Sequence, residues 1–117
     1  MTRMEREYWF EEGCWITELS NSDVDPALSV ARARVPAGGT TRWHRLHGVV
    51  ERYLVLEGRG MAEIGDSGPR ELIPGDTLLI PAGVAQRIHN PGTDDLVFLA
   101  LCTLRFTSDC YEDIEPS

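Results

Sequence analysis

Between Cys14 and Leu104 the apolar residues fall in short runs, and glycine and proline break them at close intervals. The breaks are Pro36-Ala-Gly-Gly39, Gly58-Arg-Gly60, Gly65-Asp-Ser-Gly-Pro69, Pro74-Gly-Asp76, Pro81-Ala-Gly83 and Asn90-Pro-Gly92. Runs rich in Val, Leu and Ile, with turn residues roughly every 8–12 positions, indicate an all-β sandwich or barrel. The predicted strands are Cys14–Leu19, Leu28–Val35, Thr41–Leu46, Val50–Glu57, Met61–Ile64, Arg70–Ile73, Thr77–Ile80, Ala85–His89 and Leu96–Leu104. Val50–Glu57 and Met61–Ile64 are expected to pair as a hairpin about Gly58-Arg59-Gly60. Helix has little room: residues 1–12 could hold one turn, and so could Ser108–Ile114. That acidic tail reads most simply as a solvated end.

With 117 residues the chain is expected to be one domain, 1–117, with no repeat or linker. Its net charge of −8 gives nucleic acid and anionic membranes little to bind. All eleven basic residues are arginine, as a GC-rich bacterial genome would favour, so lysine-based covalent chemistry is excluded. Cys14, Cys102 and Cys110 have no motif spacing and read as reduced thiols. No apolar run is long enough to span a bilayer, and the N-terminus lacks the apolar core of a signal peptide. The expectation is a soluble cytoplasmic protein.

Candidate chemistry lies in Thr40–Gly60. Side chains alternate faces along a strand, so His44 and His47, three apart, can meet only if the chain bends between them. Gly48 makes such a bend available. His47, Glu51 and Tyr53 then share parity, and His44 could reach in from before the bend. Two imidazoles and a carboxylate suit an iron, manganese, nickel or zinc ion with open positions. Tyr53 and Arg34 are candidates for the wall of a substrate pocket, Arg34 as a grip for a carboxylate or phosphate. Trp15 and Trp43 carry apolar area suited to a subunit interface.

The same stretch resembles the first motif of the cupin superfamily. Gly38 is followed by five residues and His44, and Glu51 by six residues and Gly58. The second motif is matched by Gly75, then Pro81-Ala-Gly83, Gln86 and Asn90. The resemblance spans about 27–104. It implies a single cupin domain, a jelly-roll-like double-stranded β-helix, commonly dimeric. It implies metal ligands at His44, Glu51 and Gln86, with His47 one residue out of register and Leu46 where the second histidine would stand. Gln86 replaces a histidine and offers only its carbonyl oxygen, which tilts preference toward manganese or iron(II).

The function implied is that of a small metal-binding cupin, an enzyme acting on a small oxygenated metabolite as a dioxygenase, isomerase or sugar-processing protein. Glu51 would serve as both ligand and proton acceptor. The alternative is a non-catalytic cupin that holds a small ligand in a degenerate metal site. A purely structural role would leave buried polar groups at His44, Glu51 and Gln86 without purpose.

Overall fold

A computed structural model of the chain describes residues 6–116. Among these residues eleven strands form two antiparallel sheets. They are β1 (Tyr8–Phe10), β2 (Cys14–Ser20), β3 (Ser29–Val35), β4 (His44–Leu46), β5 (Val50–Glu57), β6 (Gly60–Ile64), β7 (Pro69–Leu72), β8 (Thr77–Ile80), β9 (Gln86–His89), β10 (Leu96–Thr103) and β11 (Tyr111–Asp113). One sheet runs β1-β2-β3-β10-β5-β8 and the other β11-β4-β9-β6-β7. A 3-10 turn at Ser108–Cys110 precedes β11. No helix of the described residues is long and apolar enough to cross a membrane.

The alternation of side chains explains the layering. In β5, Glu51, Tyr53 and Val55 are buried and Arg52 and Leu56 are exposed. In β3, Ser29, Ala33 and Val35 are buried, and Arg32 and Arg34 face outward. The core joins Val35, Tyr53, Val55, Phe98 and Ile80 of the larger sheet to Ala62, Leu72 and Ile88 of the smaller. Burying one side chain the size of Phe98 contributes about 1.5–3 kcal/mol. A second cluster, of Leu46, Val49, Cys102 and Cys110, fills the end beneath Phe106 and Tyr111. Asn90 ties β9 to β3: its buried amide donates to the Val35 carbonyl at 2.9 Å and to the Asp94 carbonyl at 2.8 Å.

Most predicted strands are present within a residue or two of their expected ends. The hairpin about Gly58–Gly60 is not. β5 pairs with β10 and β8, whereas β6 pairs with β7 and β9 in the other sheet. The chain turns a corner there instead of folding back. Gly58 has φ +76° and packs so closely that a Cβ would stand 2.5 Å from the Asp95 carbonyl oxygen. The acidic tail is also not a solvated end. Tyr111, Glu112 and Asp113 pair with Leu46, Arg45 and His44, and Cys110 is buried. In the described part of 1–12, expected to have room for a helical turn, residues 8–10 form strand β1 and Glu11 and Glu12 begin the turn that follows it.

Candidate functional site

His44 opens β4 and is 2% exposed. Its Nδ1 lies 2.7 Å from the Arg42 carbonyl oxygen. A carbonyl only accepts, so Nδ1 carries the ring proton and Nε2 of the neutral ring is a bare lone pair. Burial holds the imidazole below its ordinary pKa, against the pull of the Arg42 carbonyl. Tyr111 of β11 stacks on the ring with centroids 5.3 Å apart, which fixes its plane.

Gln86 of β9 stands across from His44 in the smaller sheet. Glu51 and Tyr53 reach toward it from β5 in the other. The Tyr53 hydroxyl donates to Gln86 Oε1 at 2.7 Å, and Gln86 Nε2 donates to Glu51 Oε1 at 2.8 Å. The Cys102 thiol donates to Glu51 Oε2 at 3.9 Å. Every hydrogen bond in this chain points toward Glu51, which is therefore set up as an acceptor. Burial, and then the nearby Glu12, raise its pKa to about 7, opposed by the Gln86 hydrogen bond and by His44.

Glu12 completes the group and was absent from the sequence-based candidates. It sits in the turn between β1 and β2. Its carbonyl accepts from the Arg42 amide at 2.7 Å, so the hairpin is pinned to the chain leading into β4. Gly13, at φ +110°, allows this approach, since a Cβ there would lie 3.3 Å from the Thr40 carbonyl oxygen. Glu12 Oε1 stands 3.3 Å from His44 Nε2, and Cys14 offers its thiol to Oε2 at 3.8 Å. Burial pushes the Glu12 carboxyl up to about 8. No motif marks Glu12. It is one of two adjacent glutamates, and only the long-range contact with β4 distinguishes it from exposed Glu11.

Glu12, Glu51, Tyr53 and Cys102 line one cavity of about 70 Å³ on the inner face of the larger sheet. Its other walls are Phe10, Phe98 and Phe106 and the small side chains of Ser29, Ala31, Ala33 and Ala100. Tyr8 and Glu18 stand at the open side, joined by a 2.8 Å hydrogen bond. His44 and Gln86 are not among the lining residues; they reach the cavity through Glu12 and Glu51.

His47 is not brought to this group. Gly48 does bend the chain, with φ +70°, but the bend leaves His47 on the surface. Its side chain is 56% exposed and its Nε2 lies 2.7 Å from Glu112 Oε1. Arg34 also lies outside the cavity. Strand alternation turns it outward, where it binds Glu7 at 2.7 Å and Asp95 at 3.1 Å and covers Trp15. Trp43 is likewise covered, by Arg87 with its guanidinium 4.6 Å from the ring centre. His89 bonds the Thr40 hydroxyl at 2.7 Å.

These placements bear on a metal ion. Among the described residues no three His, Cys, Asp or Glu side chains converge closely enough to hold one. The donor chemistry gives the reason. Leu46 is packed into the second apolar cluster, His47 faces water, and Gln86 turns its N–H toward Glu51 while its carbonyl is engaged by Tyr53. The four positions named from the sequence therefore do not fit an ion as they stand.

A family model described as a cupin domain matches residues 31–102. The uncharacterized protein MJ1618 of Methanocaldococcus jannaschii is 34% identical over 94 residues, covering 79% of this chain and 74% of its own. Solved structures that share the fold include the following two. A predicted oxalate decarboxylase from Thermotoga maritima is 24% identical, with a TM-score of 0.75 over 86% of this chain and 91% of its own. A double-stranded β-helix protein from Klebsiella pneumoniae is 13% identical, with a TM-score of 0.78 over 93% of this chain and 90% of its own.

Proposed function

The chain belongs to the cupin domain family, and from that premise we propose that it is an enzyme that moves a proton on a small oxygenated metabolite held between Glu12 and Glu51. The observation that carries this reading is that two buried carboxyl groups line one small cavity in different surroundings: Glu51 accepts from the Gln86 amide and the Cys102 thiol, whereas Glu12 accepts from the Cys14 thiol and turns its other oxygen to a ring nitrogen of His44. Glu51 receives donors from Gln86 and Cys102 and gives none, which suits a base. Glu12 faces the bare Nε2 of His44, which suits a group that keeps its proton until a substrate takes it. Opposed environments for two carboxyls in one site are how acid and base roles become assigned. His44 and Gln86 act through the carboxyls as positioning residues, and Tyr53 orients Gln86.

Two measurements test this. The first is carboxyl titration by carbon-13 NMR of labelled glutamate: Glu12 and Glu51 should titrate near neutrality, and ordinary values near 4.5 for both would overturn the assignment. The second is hydrogen–deuterium exchange at carbons beside a carbonyl in small hydroxy-carbonyl compounds. Glu51→Gln and Glu12→Gln should each reduce exchange by roughly 10²–10⁴. Exchange that survives both substitutions would remove the carboxyls from the reaction.

A second reading has its own observation. His44 Nε2 is unprotonated and 3.3 Å from a Glu12 oxygen, close to the separation of neighbouring donors on one ion at bond lengths of about 2.1 Å. A manganese, iron, nickel or zinc ion would find two ready donors in His44 and Glu12 and would hold a third only if Glu51 moved toward them; it would supply Lewis-acid chemistry when bound. Stoichiometric metal in untagged protein, lost in His44→Ala, would favour this reading over the first. The buried, unpaired thiols of Cys14, Cys102 and Cys110 accord with a reducing, cytoplasmic setting. The exposed Leu79 on edge strand β8 accords with pairing of two copies.

A further inference from the structure

The outer face of the larger sheet is built as a contact surface: we propose that two copies of this chain pack through it, face to face, with their β5 strands antiparallel. This rests on the reading that copies pair, names the surface they use, and is independent of proton transfer in the cavity.

The two sheets turn different faces to the outside. On the smaller sheet the outward side chains form ion pairs, Arg45 with Glu112 and Arg87 with Glu63, both at 2.7 Å. Polar side chains of this kind are what a solvated sheet face carries. The larger sheet carries leucines instead. Leu79 of β8 stands diagonal to Leu54 of β5, Leu54 pairs with Leu99 of β10, and Leu101, two positions on, pairs with Val30 of β3. Leu56 follows Leu54 along β5. Strand alternation puts these six on the side away from Tyr53, Val55 and Phe98 of the core. Leu56 and Leu79 are 41% and 55% exposed, and Leu54, Leu99, Leu101 and Val30 are half-buried. A contiguous apolar patch across four strands marks a surface that meets another molecule.

Size suits a second copy. Six strands about 4.8 Å apart and on average about six residues long, at about 3.3 Å each, give the face roughly 600 Å², and stable pairs bury about 600–1,000 Å² per partner. Charge favours a second copy over other occupants. The chain carries −8, yet Arg32, Arg34 and Arg52 of this face are balanced by Glu7, Asp95 and Glu57 around it. A balanced face offers no pull to a strongly charged partner, and two acidic copies that meet there keep their excess charge away from the contact. Arg52 and Glu57 then set the arrangement. Both are exposed on β5, and the hydrogen-bond partner of Arg52 among the described residues is the Thr103 hydroxyl at 3.4 Å. Sheets packed face to face keep their strands within about 30° of each other, and a two-fold contact brings residue i against j and j against i. With the β5 strands parallel, Arg52 would meet Arg52 and Glu57 would meet Glu57, and like charges would repel. With them antiparallel about a point near Leu54, Arg52 of each copy meets Glu57 of the other, and the leucines close over the axis.

Sedimentation equilibrium of the whole protein tests this. Wild type at about 50 µM should have twice the chain mass. Leu79→Asp and Leu56→Asp should each weaken the dimer at least about tenfold, because each buries a charge in an apolar contact. Arg52→Glu and Glu57→Arg should each weaken it about tenfold, and the double variant Arg52→Glu/Glu57→Arg should return it to within about threefold of wild type. Arg45→Gln, on the outer face of the smaller sheet, should leave it unchanged. If an aspartate variant does not fold, the two charge reversals, made at exposed side chains, carry the test. A wild type that stays monomeric overturns the inference together with the pairing of copies, and leaves the face to a different partner. A dimer left intact by Leu79→Asp and Leu56→Asp overturns the choice of face and leaves the pairing standing. Reversals that each weaken the dimer without restoring it together overturn the antiparallel arrangement. Proton exchange that is lost in Glu51→Gln stands or falls separately from all of these outcomes.

Discussion

Tyr53→Phe removes one oxygen and keeps the ring that packs against Phe98 with centroids 4.3 Å apart. The hydroxyl is the donor that engages Gln86 Oε1 at 2.7 Å, in a site where Gln86 is 1% exposed. Without it the amide carbonyl is buried with no donor, at a cost of about 1–3 kcal/mol. Unfolding entropy of about 2.1 cal/mol/K per residue gives a chain of this length about 0.25 kcal/mol/K. Each kcal/mol is then worth about 4 °C, and the melting temperature should fall by about 4–12 °C. A second effect follows at Glu51. The amide is oriented by Tyr53, so in the variant it is free to turn its oxygen toward the carboxylate. Glu51 would lose the donor that now lowers its pKa and should titrate above about 7. Calorimetry reads the first effect and glutamate carbon-13 NMR the second. A melting temperature within about 1 °C of wild type, with Glu51 unmoved, would show that Tyr53 does not hold Gln86 in place, and the inference that Glu51 is the terminal acceptor would lose its support.

His47→Ala should change stability by no more than about 0.5 kcal/mol and leave activity and any bound metal intact, because the side chain is exposed and its only described partner is Glu112; loss of activity in a folded variant would return His47 to the site. The stability that Glu12 and Glu51 contribute should fall as pH rises, opposed by His44, whose lowered pKa makes its own contribution rise with pH. Glu12 and Glu51 have folded pKa values raised to about 8 and about 7 from 4.5, so between about pH 4.5 and 8 the folded state binds more protons than the unfolded one. Their contribution is fully present below pH 4.5 and is lost through this window. Thermal melts across it should show the decline, and Glu12→Gln, which stays neutral, should flatten it; an equal slope in the variant would exclude Glu12 as a source.

The particular elements separate local from long-range information. Strands such as Val50–Glu57 and Thr77–Ile80 were legible to the residue, because a period of two and flanking turns are properties of neighbouring positions. The motif spacings likewise put His44, Glu51 and Gln86 in the interior, and strand parity put Tyr53 beside Glu51, where it bonds Gln86. Pairing across sheets was not legible. Gly58 reads equally well as the apex of a hairpin or as a corner, and the Asp95 carbonyl packed against it, distant in sequence, decides. The direction in which the chain leaves Gly48 likewise settles His47, since a positive φ permits a bend without saying which way the imidazole goes. Arg34 is turned outward by the register of β3 against β10, and Glu12 is buried because a hairpin is pinned to Arg42. Periodicity and turn residues act along the chain, so they determined the strands, and the motif spacings, local as well, carried the family resemblance and the inward placement of His44, Glu51 and Gln86. The cavity's second carboxyl and its lack of any cation depend on which distant backbones touch, and that is a property of the packed sheets alone.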